Sequence, residues 1–97
     1  MRYEIELFPE ANDDLYSLKA NARAVIQDAI EEHLRHEPGK ESKSRIKRLR
    51  GLSSPQYRLR VDEYRIYYDI TGNTVEVIAV VSKAQSAIWL EREGVKE

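Results

Sequence analysis

"QYRLRVDEYRIYYDI", residues 56–70, decides how the rest of the chain is read. Two alternating runs flank the acidic pair Asp62–Glu63. Tyr57, Leu59 and Val61 recur at every second position, as do Tyr64, Ile66 and Tyr68, which is the period of half-buried β-strands. A hairpin turning at Asp62–Glu63 pairs Val61 with Tyr64 and Arg60 with Arg65. Its apolar face carries Tyr57, Leu59, Val61, Tyr64, Ile66 and Tyr68, while Arg58, Arg60, Arg65 and Tyr67 share the opposite face. Like charges directly across a sheet repel and destabilise it. Something must offset that repulsion.

Working outward from the hairpin, "TGN" (Thr71–Asn73) is a tight turn into a further strand, 74–82. "TVEVIAVVS" is apolar on both faces, Val75, Val77, Ala79 and Val81 on one and Ile78 and Val80 on the other, as in a central strand. A last helix is predicted over 83–93, amphipathic through Ala84, Ala87 and Ile88, with Trp89 beside them. Upstream, "RYEIELF" alternates as a strand over 2–8. Pro9 suits a first helical turn, and Glu10, Asp13 and Asp14 favour a helix N-terminus. That predicts a helix over 9–20 with Ala11, Leu15 and Leu18 inward. Ala22, Val25, Ile26, Ala29, Ile30 and Leu34 form the stripe of a second helix over 22–37, ended by Pro38–Gly39. Residues 39–45 read as a polar loop, and "IKRLRG" carries a basic run towards the sheet.

The order is therefore β-α-α-β-β-β-α, an α+β domain spanning 1–97. Its small sheet is mostly antiparallel and four-stranded, with two N-terminal helices packed on one face and a C-terminal helix. The two N-terminal helices cover one face only, so the arginine face is expected to stand open.

The chain of 97 residues is 41% hydrophobic and 34% charged, the balance of an ordered globule. It has no cysteine, which excludes disulfides and thiolate chemistry and fits a reducing cytoplasm. No apolar run reaches the roughly 18 residues of a membrane span, and "MRYEIELF" lacks the apolar core of a signal peptide. A cytoplasmic location without membrane contact is the expectation. The formal net charge of −1 hides a segregation. Residues 40–65 hold nine Lys/Arg and three acids, so that segment carries +6 and the remainder −7. A local positive field can bind a polyanion on an acidic protein.

His33 and His36 share a helix face but lack a third ligand, so no metal site is expected. Glu31–Glu32 and Asp13–Asp14 read as solvated helix surface rather than acid/base pairs. There is no P-loop, dinucleotide turn or GxSxG elbow. The arginine face leaves two readings open: it receives a phosphate, for which arginine offers bidentate donors and Tyr67 a stacking ring, or it is neutralised in cis by Asp62, Glu63, Asp69 or a C-terminal acid.

"RLRGLSSPQYRLRVDEYRIYYDI" followed by "TVEVIAVVSKAQSAIWL" resembles the RelE/ParE superfamily of toxins from type II toxin–antitoxin systems, on the RelE side. The likeness rests on Leu49-Arg50-Gly51, Tyr57-Arg58-Leu59-Arg60 and Tyr64-Arg65, on the apolar last strand and on the element order. It implies an mRNA interferase, a metal-independent and cofactor-free endoribonuclease. Such a toxin cuts message in the ribosomal A site by 2′-OH attack on the adjacent phosphate. A cognate RelB- or Phd-like antitoxin holds it inactive in a hetero-oligomer. A ParE-like gyrase poison or an antitoxin-binding relic are the alternatives.

Carried over by position, the resemblance makes Arg58 and Arg60 the two basic strand residues and Arg65 the holder of the scissile phosphate. Lys83 is the candidate acid. Lys43, Arg45, Lys47, Arg48 and Arg50 are candidate contacts to RNA or the ribosome, with Tyr67 and Trp89 as stacking rings. Ala84 stands where the family typically has arginine, and Trp89 or Leu90 near its aromatic position. Replacing Arg65 by alanine is expected to leave the fold intact or more stable, because it relieves the pair with Arg60.

Overall fold

The computed structural model describes residues 2–97. Strand β1 (Glu4–Leu7) runs into helix α1 (Pro9–Tyr16), with Pro9 opening the helix at a position that needs no N–H. Helix α1 is half a turn to a turn shorter than the apolar pattern suggests, because the Ser17 hydroxyl donates to the Asp14 carbonyl (2.7 Å) and closes it. Helix α2 (Ala20–Leu34) buries Ile26, Ala29, Ile30 and Leu34, whereas Val25 from the predicted stripe stays exposed.

Three residues of the basic run form a strand, β2 (Ile46–Arg48), and a second short strand, β3 (Leu52–Ser54), follows. The hairpin strands are β4 (Tyr57–Val61) and β5 (Tyr64–Thr71), followed by β6 (Thr74–Ser82), α3 (Lys83–Glu93) and β7 (Val95–Lys96). The main sheet has five strands in the order β1-β6-β5-β4-β2, not four. The additional one is β2, antiparallel to β4, and only β1–β6 is parallel. Strands β3 and β7 pair separately, tying the C-terminus to the segment before the hairpin. Gly72 in the β5–β6 turn has φ +60°, open to glycine without a Cβ clash.

One core lies between the sheet and helices α1 and α2. It takes Leu59, Val61, Ile66 and Tyr68 from the hairpin, as the alternation requires, with Tyr57 packed at its edge. The Tyr57 and Tyr68 rings stack at 5.5 Å, and the Tyr68 hydroxyl donates to the Pro38 carbonyl (2.7 Å).

A second, smaller core occupies the opposite face, where Tyr67, Ala79 and Trp89 meet with Leu49, Ile78, Val81 and Leu90 around them. Helix α3 therefore covers part of the face expected to be open. Strand β6 serves both cores through a bulge: Tyr67 pairs with Ala79 but Tyr68 with Val77, leaving Ile78 as an extra residue. The bulge corrects the predicted face of β6, placing Val75, Val77 and Val80 in the first core and Ala79 in the second. Among the described residues no helix is long and apolar enough to cross a membrane.

Candidate functional site

The β4–β5 register is the one the turn demands: Val61 opposes Tyr64 and Arg60 opposes Arg65. Strand β2 adds a second like-charge pair to the same face, because Lys47 opposes Arg58. Four cations thus stand on one face in two directly opposed pairs, each unfavourable by the cross-strand rule. None of the four forms an ion pair among the described residues. Among the described residues the ion pairs within 4 Å are His33–Glu32, Arg35–Glu31, Lys40–Glu37 and Arg92–Glu93. Asp69 is engaged elsewhere, accepting from the Ser54 hydroxyl (2.6 Å) and the Gln56 N–H (2.7 Å).

The four cations differ in freedom. Arg60 is exposed, while Arg65 is only 7% exposed. Its Nη1 donates to the carbonyls of Asp62 (3.0 Å) and Tyr64 (2.9 Å), so part of the guanidinium holds the turn. Burial, then the charges of Arg58 and Arg60, push Arg65 below the usual guanidinium pKa. Those two turn bonds also oppose the expectation that Arg65→Ala leaves the fold undisturbed. Arg58 presents a buried Nε–H without a hydrogen-bond partner, a donor the fold itself does not satisfy.

Lys83 begins α3 beside this cluster: its backbone N–H donates to the Glu63 carbonyl (2.7 Å), and its side chain is exposed. Lys43, Arg45 and Arg50 are exposed on the flanking loops. Arg48 does not join them, since its guanidinium lies 5.1 Å over the Tyr57 ring on the helix side of the sheet.

The two aromatic candidates are corrected as well. Tyr67 is 1% and Trp89 4% exposed, and they stack on each other at 4.9 Å with planes 8° apart. Neither ring offers a free face to a base. Burial also raises the Tyr67 hydroxyl pKa, offset in part by the Ser86 hydroxyl beside it. The face of α3 that docks is Ser86–Trp89–Leu90, and Ile88 is 57% exposed.

Two acids read as surface or helix-start residues prove to be positioning groups. Glu10 accepts the Trp89 Nε1–H (2.7 Å), joining α1 to α3. Asp14 accepts the Val80 N–H (3.0 Å) at the part of β6 that extends past β1, which ends at Leu7. Burial raises the Asp14 pKa above its ordinary 3.8, against the opposing effect of the Val80 hydrogen bond. No local signal distinguishes these two acids from neighbouring ones.

Chemically, the face offers positive charge and guanidinium donors suited to anions. Its arginines cannot accept a proton at ordinary pH, and the amines beside them are those of Lys47 on the face and Lys83 at the start of α3. Among the described residues no group of three or more His, Cys, Asp or Glu is placed to hold a metal ion.

A family model described as the ParE toxin of the type II toxin–antitoxin system, parDE, matches residues 5–87. No curated protein matches the chain. The fold is similar to three solved complexes. The toxin–antitoxin complex RelBE2 from Mycobacterium tuberculosis aligns with a TM-score of 0.71 and 24% identity over 84% of this chain and 99% of that one. The RelB–RelE complex from Methanococcus jannaschii gives 0.66 and 24% over 86% and 95%. The archaeal RelE–RelB complex from Pyrococcus horikoshii gives 0.70 and 19% over 88% and 99%. At these identities the likeness to the solved structures is one of fold.

Proposed function

The chain belongs to the ParE toxin family, within the RelE/ParE superfamily of type II toxin–antitoxin systems, and from that premise we propose that it is an RNA-cutting toxin that stops translation. The observation that carries this reading is the pair of like-charge contacts without an ion-pair partner among the described residues, Lys47–Arg58 and Arg60–Arg65, on one sheet face. A fold keeps such pairs when an external anion compensates them, and a phosphate chain is the anion that arginine fits best.

In the proposed reaction a ribose 2′-oxygen attacks the adjacent phosphorus and the bond to the 5′-oxygen breaks, leaving a cyclic phosphate and a 5′-hydroxyl. The 2′-hydroxyl proton passes to a base, and Lys83 protonates the leaving oxygen. Arg58, Arg60 and Arg65 stabilise the charge that develops on the phosphorane oxygens, with Lys47 on the neighbouring phosphate. Lys43, Arg45 and Arg50 contact the ribosome or the message backbone. The partner is an acidic RelB- or Phd-like antitoxin that covers the face in a cytoplasmic hetero-oligomer.

The test is incubation of the purified toxin with programmed ribosomes and mapping of 5′-hydroxyl ends. Wild type is expected to cut, and Arg58→Ala to cut about 10²–10³-fold more slowly, the usual effect of losing one transition-state donor. Absence of cleavage with and without ribosomes overturns the reading.

A ParE-like toxin that grips DNA gyrase is the second reading. It is favoured by the burial of Tyr67 and Trp89, which leaves no ring for a base. Loss of supercoiling and a DNA-damage response after induction would identify it, against an immediate stop of translation for the first. Normal growth on induction without a partner would identify a relic that only binds antitoxin.

A further inference from the structure

We propose that the cavity between the β4–β5 turn and the loop before β2 reads the Watson–Crick edge of a guanine in single-stranded RNA, through the carboxylates of Asp62 and Glu63. The proposal rests on the RNA-binding reading above. The cavity has a volume of about 410 Å³ and is lined by Ser44, Arg45, Arg60, Asp62 and Glu63. That volume lies in the range of small-ligand pockets, roughly 300–1,000 Å³.

Its walls are fixed by hydrogen bonds to backbone groups. The Ser42 hydroxyl accepts the N–H groups of Arg45 and Ile46, both at 3.1 Å. The Arg60 N–H donates to the Arg45 carbonyl (2.9 Å), joining loop to sheet. Across the cavity, the Asp62 carbonyl is held by Arg65 Nη1 and the Glu63 carbonyl by the Lys83 N–H. The turn is thus pinned at both carbonyls, with Asp62 in the left-handed region at φ 50°, which aspartate tolerates better than most residues. The charged ends of Arg45, Arg60, Asp62 and Glu63 make no ion pair among the described residues.

Two unpaired carboxylates beside a phosphate-holding face are a contradiction if the face only grips a backbone, because they repel the same polyanion. They make no ion pair with the arginines among the described residues, although the charge of Glu63 favours the charged form of Arg65. A carboxylate is an acceptor only, so a ligand that gains from it must present N–H or O–H donors. Single-stranded RNA exposes base edges for such readout. Guanine presents N1–H and the N2 amino group side by side, matching the two oxygens of one carboxylate. Adenine and cytosine set a ring-nitrogen lone pair next to their amino group, and uracil flanks its single N–H with two carbonyls; each places an acceptor against the carboxylate. Arg45 and Arg60 then hold the phosphates flanking the guanine.

The experiment measures binding of the purified toxin to pentaribonucleotides UUGUU, UUAUU, UUCUU and UUIUU at one ionic strength, where inosine lacks only the N2 amino group. The G pentamer is expected to bind about 10-fold or more tightly than the A and C pentamers, as a bidentate base contact gives, with inosine between them. In the double variant Asp62→Asn, Glu63→Gln the spread should collapse to within about twofold. These side chains make none of the turn's backbone bonds, so the variant keeps the fold, and circular dichroism verifies it. Equal binding of all four by wild type, or a guanine preference that survives in the variant, overturns base reading while leaving RNA binding standing. Binding of no pentamer overturns the RNA reading and this proposal with it.

Discussion

Arg60 and Arg65 face each other across the hairpin with no acid between them, yet replacing them should have opposite effects on stability. Arg60 is exposed and donates no side-chain hydrogen bond within the described chain. Replacing it with glutamine removes a like-charge cross-strand contact, for a gain of about 0.2–1 kcal/mol in urea unfolding at low salt. That gain should fade in 1 M salt, where the screening length is about 3 Å. Arg65 relieves the same contact when removed but also loses its bonds to the Asp62 and Tyr64 carbonyls and its buried stem. Hydrogen bonds from a charged group are worth about 1.5–3 kcal/mol each, more than the repulsion, so Arg65→Ala should be destabilised by about 2–5 kcal/mol. A loss of toxicity in Arg65→Ala is consequently ambiguous, and Arg60→Gln is the cleaner probe of the face. If Arg60→Gln lowers stability at low salt, the repulsion argument fails.

Helix α3 docks on the sheet through Trp89 at the centre of its inner face, with Leu90 beside it. Trp89 stacks on Tyr67 and donates to Glu10, and it is the chain's single tryptophan, so its fluorescence reports the docking of α3. Trp89→Ala should cost about 3–5 kcal/mol. Trp89→Phe keeps a ring but loses the hydrogen bond to the solvent-exposed Glu10 carboxylate, for a loss of about 0.5–1.5 kcal/mol, both read by circular dichroism in urea. Helix α1 contributes a pH dependence through Asp14. Its folded pKa lies above the ordinary 3.8, chiefly from burial, so the folded state holds the proton more tightly and stability falls as pH rises from 3.8 through the folded value. Asp14→Asn keeps an acceptor for the Val80 N–H and lacks that fall. The stability of the variant relative to wild type should therefore grow with pH across this window; a constant difference would refute the assignment. Neither anchor is visible in sequence. The hairpin is legible because its alternation runs for five and eight residues around an acidic turn. Strand β2 escapes because Ile46–Arg48 offers only three residues, too few for a period, and with it goes the Lys47–Arg58 pair. On α3 the Ala84–Ala87–Ile88 stripe looks as apolar as the docking face, and a long-range stack on Tyr67 decides between them. The basic half of the site was thus readable as charge, whereas the burial of its aromatic half depends on contacts that no local window contains.

The molecule measures 35 × 33 × 27 Å and carries a net charge of −1, divided between a +6 segment and a −7 remainder. At physiological salt the screening length is about 8 Å, well below the shortest dimension, so a polyanion on the basic face does not sense the acids on the far side. Affinity for RNA is then set by local contacts. Neutralising single-strand phosphates gives a slope of about −0.7 per contact in log affinity against log salt. Five contacts, from Arg45, Lys47, Arg58, Arg60 and Arg65, predict a slope of roughly −3.5. Lys47→Gln should reduce its magnitude by about 0.7, alike for every RNA sequence, whereas Asp62→Asn, Glu63→Gln should change sequence preference and leave the slope nearly as it was. At 0.01 M salt the screening length grows to about 30 Å, comparable with the molecule's own dimensions. The acidic remainder then opposes binding, so the plot should flatten at its low-salt end instead of continuing its rise. A Lys47→Gln variant with an unchanged slope would place the RNA elsewhere on the surface. A straight line down to 0.01 M would mean that the acids and the basic face do not sense one another even under weak screening.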